Sequence, residues 1–398
     1  MSENKKLVPK RRFKEFENTD AWEQHKLGED LVQVQTGTNK LGTTEDKGMP
    51  LIKMGNIQRG YFNLDKLEKL QIEDMIEPEN ILSFGDFLFN TRNTLALVGK
   101  GATWFGTSNT HGFNSNIARF TFKGINTTFF NYLYNTRSVL EQVLARAVGT
   151  TSVAAIYPRD IKSINYYIPH ADEQHKIGTL FKTLDDTIAF QQRKLEKMKS
   201  MKSAYLSEMF PAEGERKPKR RFPGFTDDWE QCELGEVTQI KTGSSDLQDA
   251  VDDGKYPFFV RSEKIERSNR YIFDGEAILS PGEGRLGEIY HYINGKFDFH
   301  QRVYKVSGFA DSDIDGKYVL YYMQKNFKQH AMKFTVKATV DSLRLPMLTD
   351  FDLAVPKIEE QRKISSFFTN LDQTIAFQQQ KLEKLQNIKK AYLNEMFI

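Results

Sequence analysis

The chain has 398 residues, of which 39% are hydrophobic and 27% are charged, and its formal net charge is +3. This composition is typical of a soluble globular protein of two or three domains and excludes an intrinsically disordered chain. The single cysteine, Cys232, excludes an internal disulfide and a metal site built on several cysteines, and it fits a reducing compartment.

The N-terminal segment MSENKKLVPKRRFKEF is basic and lacks the apolar region of a secretory signal. No apolar run approaches the ~18–20 residues that a membrane span needs, so we expect a cytoplasmic protein without membrane contact. Basic clusters lie at Lys5–Lys14, Arg193–Lys202 and Arg216–Arg221. Charge alone favours solvated surfaces and linkers at these places over nucleic-acid contacts.

The chain contains an internal repeat. Residues 9–29, PKRRFKEFENTDAWEQHKLGE, recur as PKRRFPGFTDDWEQCELGE at 218–236. EQHKIGTLFKTLDDTIAFQQRKLEKMKSMKSAYLSEMF, from Glu173, recurs with most positions identical as EQRKISSFFTNLDQTIAFQQQKLEKLQNIKKAYLNEMF, from Glu360. The order along the chain is therefore variable block, constant block, variable block, constant block, and such a repeat indicates two similar scaffolds.

The first variable block, residues 38–168, predicts mixed α and β structure. FGDFLFN and IARFTF are typical of strands, Thr127–Val148 of a helix, and INYYIP of a strand that ends at proline before the constant block.

The constant block predicts a long helix, because good helix formers dominate it and it has no internal proline. Steps of four and three residues trace an apolar seam that carries a glutamine at the same place in both copies. Two unrelated amphipathic helices are the alternative, but the matched glutamines favour packing of the two helices on each other. The expected helix-pairing residues are Ile188, Gln191, Leu195, Ile375, Gln378 and Leu382.

The second variable block, residues 244–355, shares only a skeleton with the first. YPFFV, YIFDGEAILS and FHQRVYKV predict strands, Lys317–Phe334 predicts a helix, and FDLAVP again precedes the constant block. Gly282–Gly287 fits the G-x-G-x-x-G pattern of dinucleotide-binding proteins. The following EIYHYINGKF alternates like a strand, so we predict a turn with Arg285 at its tip rather than a cofactor site.

Catalytic motifs are missing from the sequence. There is no Walker A pattern, and no Pro-Pro pair from which an amino-methyltransferase motif could be built. The seven histidines lack metal-binding spacing and are expected to be ordinary surface or core residues. We therefore expect no catalytic residue and no metal site.

The chain resembles the specificity subunit of type I restriction–modification systems over nearly its whole length. The resemblance rests on Trp22…Leu27-Gly28-Glu29 with its copy Trp229…Leu234-Gly235-Glu236, on Pro169…Glu173-Gln174…Lys176-Ile177, and on Leu184-Asp185…Ile188…Lys194-Leu195-Glu196…Met209-Phe210 with its copy at Leu371–Phe397. No single piece is decisive, but two copies of the whole set in the same order are specific.

The resemblance implies a mixed α/β (α+β) fold with a pseudo-two-fold internal repeat. Two target-recognition domains would be separated by two long antiparallel helices that form a coiled coil. The expected segments are 1–172 for the first domain with its basic arm, 173–211 for the first helix, 212–359 for the second domain with a basic linker at 212–222, and 360–398 for the second helix.

The resemblance also implies a function. Each domain would read one half of a split, asymmetric site in double-stranded DNA, while the helices would set the gap and dock two methyltransferase subunits and motor–nuclease subunits. This chain would bind no cofactor, since S-adenosylmethionine would belong to the methyltransferase, and ATP and Mg to the motor–nuclease. DNA-mimicking anti-restriction proteins are further candidate partners.

Candidate DNA contacts follow from the chemistry of the major groove, where Arg and Lys bind guanine, Asn and Gln bind adenine, and acids bind cytosine. An ordinary turn or surface role is the alternative for each residue. The candidates in the first block are Lys53, Asn56, Gln58, Arg59, Asn90, Thr91, Arg92, Asn93, Asn109, His111, Asn114 and Asn116, with Thr150, Thr151 and Ser152 suited to phosphate. Those in the second block are Arg261, Ser262, Lys264, Arg285, His300, Gln301, Arg302, Lys337, Thr339, Ser342 and Arg344.

Two rival functions come from other classes. A fused restriction–methylation enzyme, or a fragment of one, conflicts with the missing catalytic motifs. A coiled-coil scaffold or adaptor without a DNA role gives no reason for two divergent blocks beside near-constant helices.

Overall fold

A computed structural model of the chain describes residues 7–45, 47–71, 76–150, 152–212, 214–309, 313–334 and 342–398. The chain forms two compact units, unit 1 from Met1–Gln191 with Lys381–Ile398 and unit 2 from Gln192–Gln380. The boundary between the units falls inside both long helices, so the predicted helix segments 173–211 and 360–398 are each divided between the two units. Each helix therefore contributes one part to each unit.

Unit 1 is built from short strands and helices. Its strands are β1 (Glu23–Lys26), β2 (Leu31–Thr36), β3 (Pro50–Ile52), β4 (Glu68–Lys69), β5 (Phe87–Asn90), β6 (Arg92–Asn93), β7 (Gly101–Thr103), β8 (Gly112–Phe113), β9 (Ile117–Phe122), β10 (Val148–Gly149), β11 (Ala154–Ala155) and β12 (Asn165–Ile168). Its helices are α1 (Leu27–Asp30), α2 (Thr127–Tyr134), α3 (Arg137–Leu144), α4 (Pro158–Ile161) and the first part of α5 (Ala171–Met209).

An antiparallel sheet in the order β2-β9-β5-β7 carries the core of unit 1. Alternation along β5 sends Phe87 and Phe89 to one side, where they meet Phe130 of α2, and sends Leu88 to a second cluster on the other side. Both faces of β5 are thus buried. The smaller sheets have the orders β4-β3-β8, β10-β11-β6 and β1-β12.

Unit 2 repeats this plan with longer strands. Its strands are β13 (Glu230–Glu233), β14 (Gln239–Thr242), β15 (Tyr256–Phe259), β16 (Ile265–Ser268), β17 (Phe273–Pro281), β18 (His291–Phe299), β19 (Val303–Ser307) and β20 (Asp352–Val355). Its helices are the end of α5, α6 (Leu234–Val237), α7 (Gly316–Met332), α8 (Leu345–Thr349) and the first part of α9 (Ile358–Glu395). The main sheet has the order β14-β19-β17-β18-β15-β16, and β13 pairs with β20.

Most predicted elements are confirmed. Strands β5, β9, β15, β17 and β19 overlap the predicted runs FGDFLFN, IARFTF, YPFFV, YIFDGEAILS and FHQRVYKV. The glycine-rich segment 282–287 is a loop between β17 and β18 rather than the start of a helix. Thr127–Val148 is instead two helices. Asn135 Nδ2 donates to the Asn131 carbonyl (2.7 Å) and Thr136 Oγ1 to the Leu133 carbonyl (2.7 Å). These side chains compete for carbonyls that a continuous helix would pair internally.

The two long helices pack on each other within each unit, as the seam predicts, and they run antiparallel, as the resemblance implies. In unit 2, Lys202 Nζ of α5 lies 2.7 Å from Asp372 Oδ1 of α9, and the Tyr205 ring lies 5.2 Å from the Phe367 ring. Higher numbers on α5 therefore meet lower numbers on α9. Of the expected pairing residues, Gln191, Leu195, Gln378 and Leu382 are buried, while Ile188 and Ile375 are half-buried.

No helix among the described residues is both long and apolar enough to span a membrane.

Candidate nucleic-acid interface

The repeated sequence motifs build the same internal clamp in each unit. In unit 1, Arg12 Nε and Nη2 donate to the two carboxylate oxygens of Glu173 at 2.8 and 2.6 Å. In unit 2, Arg221 makes the same two-pronged contact with Glu360, at 2.7 Å for both bonds. Both glutamates are only 1% exposed. The expectation of a solvated surface is therefore wrong for Arg12 and Arg221, which tie the basic segments to the starts of α5 and α9.

In each unit, the glutamine that follows the clamp glutamate binds the residue that caps a second helix. Gln174 Oε1 accepts the backbone N–H of Asn126 (3.0 Å), the residue that caps α2. Gln361 Oε1 accepts the backbone N–H of Asp315 (2.9 Å), which caps α7. Each long helix thus positions the helix that covers the main sheet of its unit.

A second repeated contact ties the paired helices to each variable block. The Tyr321 hydroxyl of α7 donates a hydrogen bond to Asp372 (3.0 Å), which also binds Lys202. In unit 1, Tyr132 donates to Asp185 (2.9 Å), which also binds Lys389. Burial and the neighbouring carboxylate raise the pKa of both phenols. Contacts inside the protein thus account for these repeated residues of the constant blocks.

Backbone hydrogen bonds bring four loops of unit 1 together. Thr91 N donates to Asn116 O (3.0 Å), Ile156 N to Thr91 O (2.9 Å), and Asn114 N to Ile52 O (3.0 Å). The segments that follow β3 and β5, the turn before β9 and the β10–β11 hairpin therefore meet at one end of the sheets. We call this the four-loop surface of unit 1, with loops at 53–59, 90–93 and 114–116 and the described residues 148–150 and 152–155.

Unit 2 has an equivalent surface held by the same backbone bonds. Gly282 N donates to Arg302 O (2.8 Å), Leu343 N to Gly282 O (2.7 Å), and His300 N to Phe259 O (2.9 Å). The four-loop surface of unit 2 therefore consists of loops at 261–264, 282–285, 300–302 and 342–344. Most candidate residues of the sequence analysis lie on these two surfaces.

Asn109 and His111 do not join the surface of unit 1. Asn109 N donates to Leu82 O (2.8 Å) and Leu82 N donates to His111 O (2.8 Å), so both residues lie beside the start of β5, at the opposite end from Asn90. The His111 ring packs 4.7 Å from the Trp104 ring, and burial lowers its pKa. Asn109 and His111 are close to Asn114 in the sequence. The short strand β8 lies between them and Asn114 and separates them in space.

Several candidates in unit 1 have side chains already engaged in the fold. Asn56 is buried and binds the Lys53 amide (2.8 Å) and the Asn63 carbonyl (3.0 Å). Asn90 is fully buried, and Thr91 Oγ1 donates to Asn116 O (2.7 Å). These residues shape the loops. The exposed or half-buried candidates on this surface are Lys53, Gln58, Arg59, Arg92, Asn93, Asn114, Asn116, Thr150 and Ser152.

In unit 2 the exposed candidates are mainly cations. Arg261, Arg285 and Arg302 form ion pairs with loop glutamates, and Lys264 pairs with Glu266 (2.7 Å). His300 is instead buried, and its Nδ1 accepts the Arg302 amide (2.9 Å). The other exposed candidates are Ser262, Gln301, Ser342 and Arg344. The predicted residues Thr151, Lys337 and Thr339 lie outside the described residues.

Two residues that the sequence analysis did not select lie on these surfaces. Lys100 Nζ donates to Gln58 Oε1 (2.5 Å), and burial together with nearby Arg59 lowers its pKa. Glu283 bridges two arginines in unit 2. The sequence shows that Glu283 lies in the glycine-rich turn, but only the contacts between loops show that it bridges the two arginines. Among the described residues, no group of three or more His, Cys, Asp or Glu could hold a metal ion.

Comparison with known proteins gives a consistent family match. Residues 19–200 and 226–387 match the family model described as type I restriction modification DNA specificity domain. The EcoDI specificity subunit of a type I restriction enzyme from Escherichia coli is 30% identical over 168 residues, which are 42% of this chain and 36% of that protein. The putative MjaX specificity subunit from Methanocaldococcus jannaschii is 22% identical, with 94% of this chain and 92% of that protein covered.

A solved structure shares the fold. The S subunit of a type I restriction–modification system from M. genitalium superposes with a TM-score of 0.68 at 16% identity, covering 98% of this chain and 99% of that one.

Proposed function

Because the chain belongs to the type I restriction–modification DNA specificity family, we propose that each unit reads one half of a split, asymmetric DNA site with its four-loop surface. The loops offer guanidinium, amide and hydroxyl groups, which are the side chains that discriminate bases and hold phosphates.

The observation that carries this proposal is a difference in side chains on matched backbones. The bonds Thr91 N to Asn116 O and Gly282 N to Arg302 O make Asn116 and Arg302 equivalent, and likewise Arg92 and Glu283. Unit 1 therefore has a cation and an amide where unit 2 has an acid and a cation. Surfaces with such different chemistry select different bases, so the two half-sites differ. A pure scaffold has no need for this divergence.

We further propose that α5 and α9 set the gap between the half-sites and dock two methyltransferase subunits. The equivalent residues Phe190 and Phe377 are both largely exposed, on near-identical stretches of the two helices. Large exposed apolar side chains are typical of interaction sites, and a repeated one suits two copies of the same partner. Motor–nuclease subunits would join this complex for cleavage.

In this proposal the chain itself has no catalytic role. S-adenosylmethionine acts in the methyltransferase partner, and ATP and Mg act in the motor–nuclease partner. We expect no S-adenosylmethionine binding when the purified chain is titrated with it in a calorimeter. Stoichiometric binding would contradict the proposal and favour a fused methylation enzyme. A gel shift with duplex DNA, run with and without the methyltransferase, separates the proposal from the scaffold alternative, which predicts no shift in either case.

The decisive experiment exchanges one surface. Replacing residues 244–355 with the matching block of a family member should change one half of the DNA site completely and leave the other half intact, because each surface is held by its own unit. Mapping of methylated adenines after co-expression with the host methyltransferase measures the result. A change in both halves would contradict independent reading by the two units.

A further inference from the structure

Glu283 lies between two arginines from different loops on the four-loop surface of unit 2. Its Oε2 is 3.2 Å from Arg261 Nη1, and its Oε1 accepts from Arg302 Nη1. The arginine side chains are about half exposed (48% and 55%), while that of Glu283 is 23% exposed. The two guanidinium groups therefore face solvent, with a carboxylate between them.

The backbone holds this group in place. Glu283 forms a β-bridge with Ser342, and the flanking Gly282 bonds to Arg302 and Leu343 through its N–H and carbonyl. Gly284 has φ +84°, a conformation that favours glycine and turns the chain immediately after Glu283. The backbone of Glu283 is thus fixed relative to the loop that carries Arg302, and its carboxylate reaches Arg261 through the side-chain ion pair.

We propose that Arg261, Glu283 and Arg302 together read a guanine·cytosine pair in the major groove, with Glu283 as the residue that positions the guanidinium groups. This rests on the proposed function. A guanidinium fork fits O6 and N7 of guanine, and a carboxylate accepts from N4 of the paired cytosine. Free arginine side chains lose rotamer entropy when they bind, and a fixed carboxylate reduces that loss by holding them beforehand.

A rival role for the same arginines is phosphate contact, which fixes position without reading sequence. The two roles differ in what a lysine substitution does. Lysine keeps the charge and so keeps a phosphate contact, but it loses the planar fork that binds guanine at two points. Unit 1 has Arg92 and Asn116 at the equivalent positions, so the effect must be confined to one half-site.

The test selects duplexes from a random library with the full-length chain, alone and co-expressed with the methyltransferase of its own genome. R302K and E283Q should each lower the preference for guanine at the same single position of one half-site by about 5- to 100-fold. The matched control is R267K. Arg267 lies on β16 opposite Pro257, at the far end of β15 from the loops, and its guanidinium binds backbone carbonyls. This control should keep the wild-type preference, and thermal melting should show that all variants are folded.

An unchanged guanine preference in folded E283Q and R302K overturns the inference. So does a uniform loss of affinity across all sequences, which would indicate phosphate contact. Failure of the proposed function has a different signature, because the wild-type chain would then select no pair of half-sites in either preparation. If the wild-type chain selects two half-sites but R302K changes the preference for guanine at none of their positions, only the inference is refuted.

Discussion

Glu173→Gln should lower the free energy of unfolding of unit 1 by about 3 kcal/mol, because it leaves a buried arginine without its charge partner. The side chains of Arg12 and Glu173 are only 7% and 1% exposed, and two hydrogen bonds join them. Glu360→Gln should have the same effect on unit 2, where Arg221 is the partner. Amide hydrogen exchange can follow each unit separately, and protection should fall in the unit that carries the substitution.

Two solvent-exposed ion pairs of the chain provide matched controls. Arg11 pairs with Glu395 and Arg220 with Glu208, each at 2.6 Å, but all four side chains are substantially exposed. Exposed pairs contribute little to stability because water and salt screen them. Glu395→Gln and Glu208→Gln should therefore leave exchange rates nearly unchanged. Equal losses from buried and exposed substitutions would contradict a special role for the Arg12 and Arg221 clamps.

Lengthening both long helices should lengthen the gap between the DNA half-sites without changing either half. Four residues inserted after Gln192 in α5, and four after the repeat-equivalent Gln379 in α9, add about 6 Å of helix to each. With a rise of about 3.4 Å per base pair, the gap should grow by roughly one to two base pairs. A heptad seam absorbs a four-residue insertion by local unwinding, so the helices can stay paired. Methylation-site mapping reports the new gap.

A single-residue insertion at the same two places is the control. It turns the following residues by about 100°, which moves the seam off its partner. The expected result is lower thermal stability without a new gap. An active four-residue variant that keeps the original gap would show that the helices dock partners only and that another feature measures the DNA.

The repeat made much of the architecture predictable from the sequence. Two copies of one pattern implied two units, and strict helix periodicity implied long paired helices. The split of Thr127–Val148 was not predictable from periodicity, because it depends on which carbonyls Asn135 and Thr136 bind. The roles of Arg12 and Glu173 were also hidden, since 161 positions separate them. Charge patterns along a sequence cannot show which charges are buried together.

By itself, the sequence determined the repeat, the family resemblance and the kinds of side chain available to contact DNA, because repeated motifs and residue types can be compared directly along the chain. Only the tertiary structure decided which candidates share a surface. It joined Thr91 to Asn116 and Gly282 to Arg302, placed Asn109 and His111 at the other end of β5, and set Glu283 between two arginines. The physical reason is that these arrangements follow from hydrogen bonds between strands and loops far apart in the chain, and such bonds have no local signature in sequence.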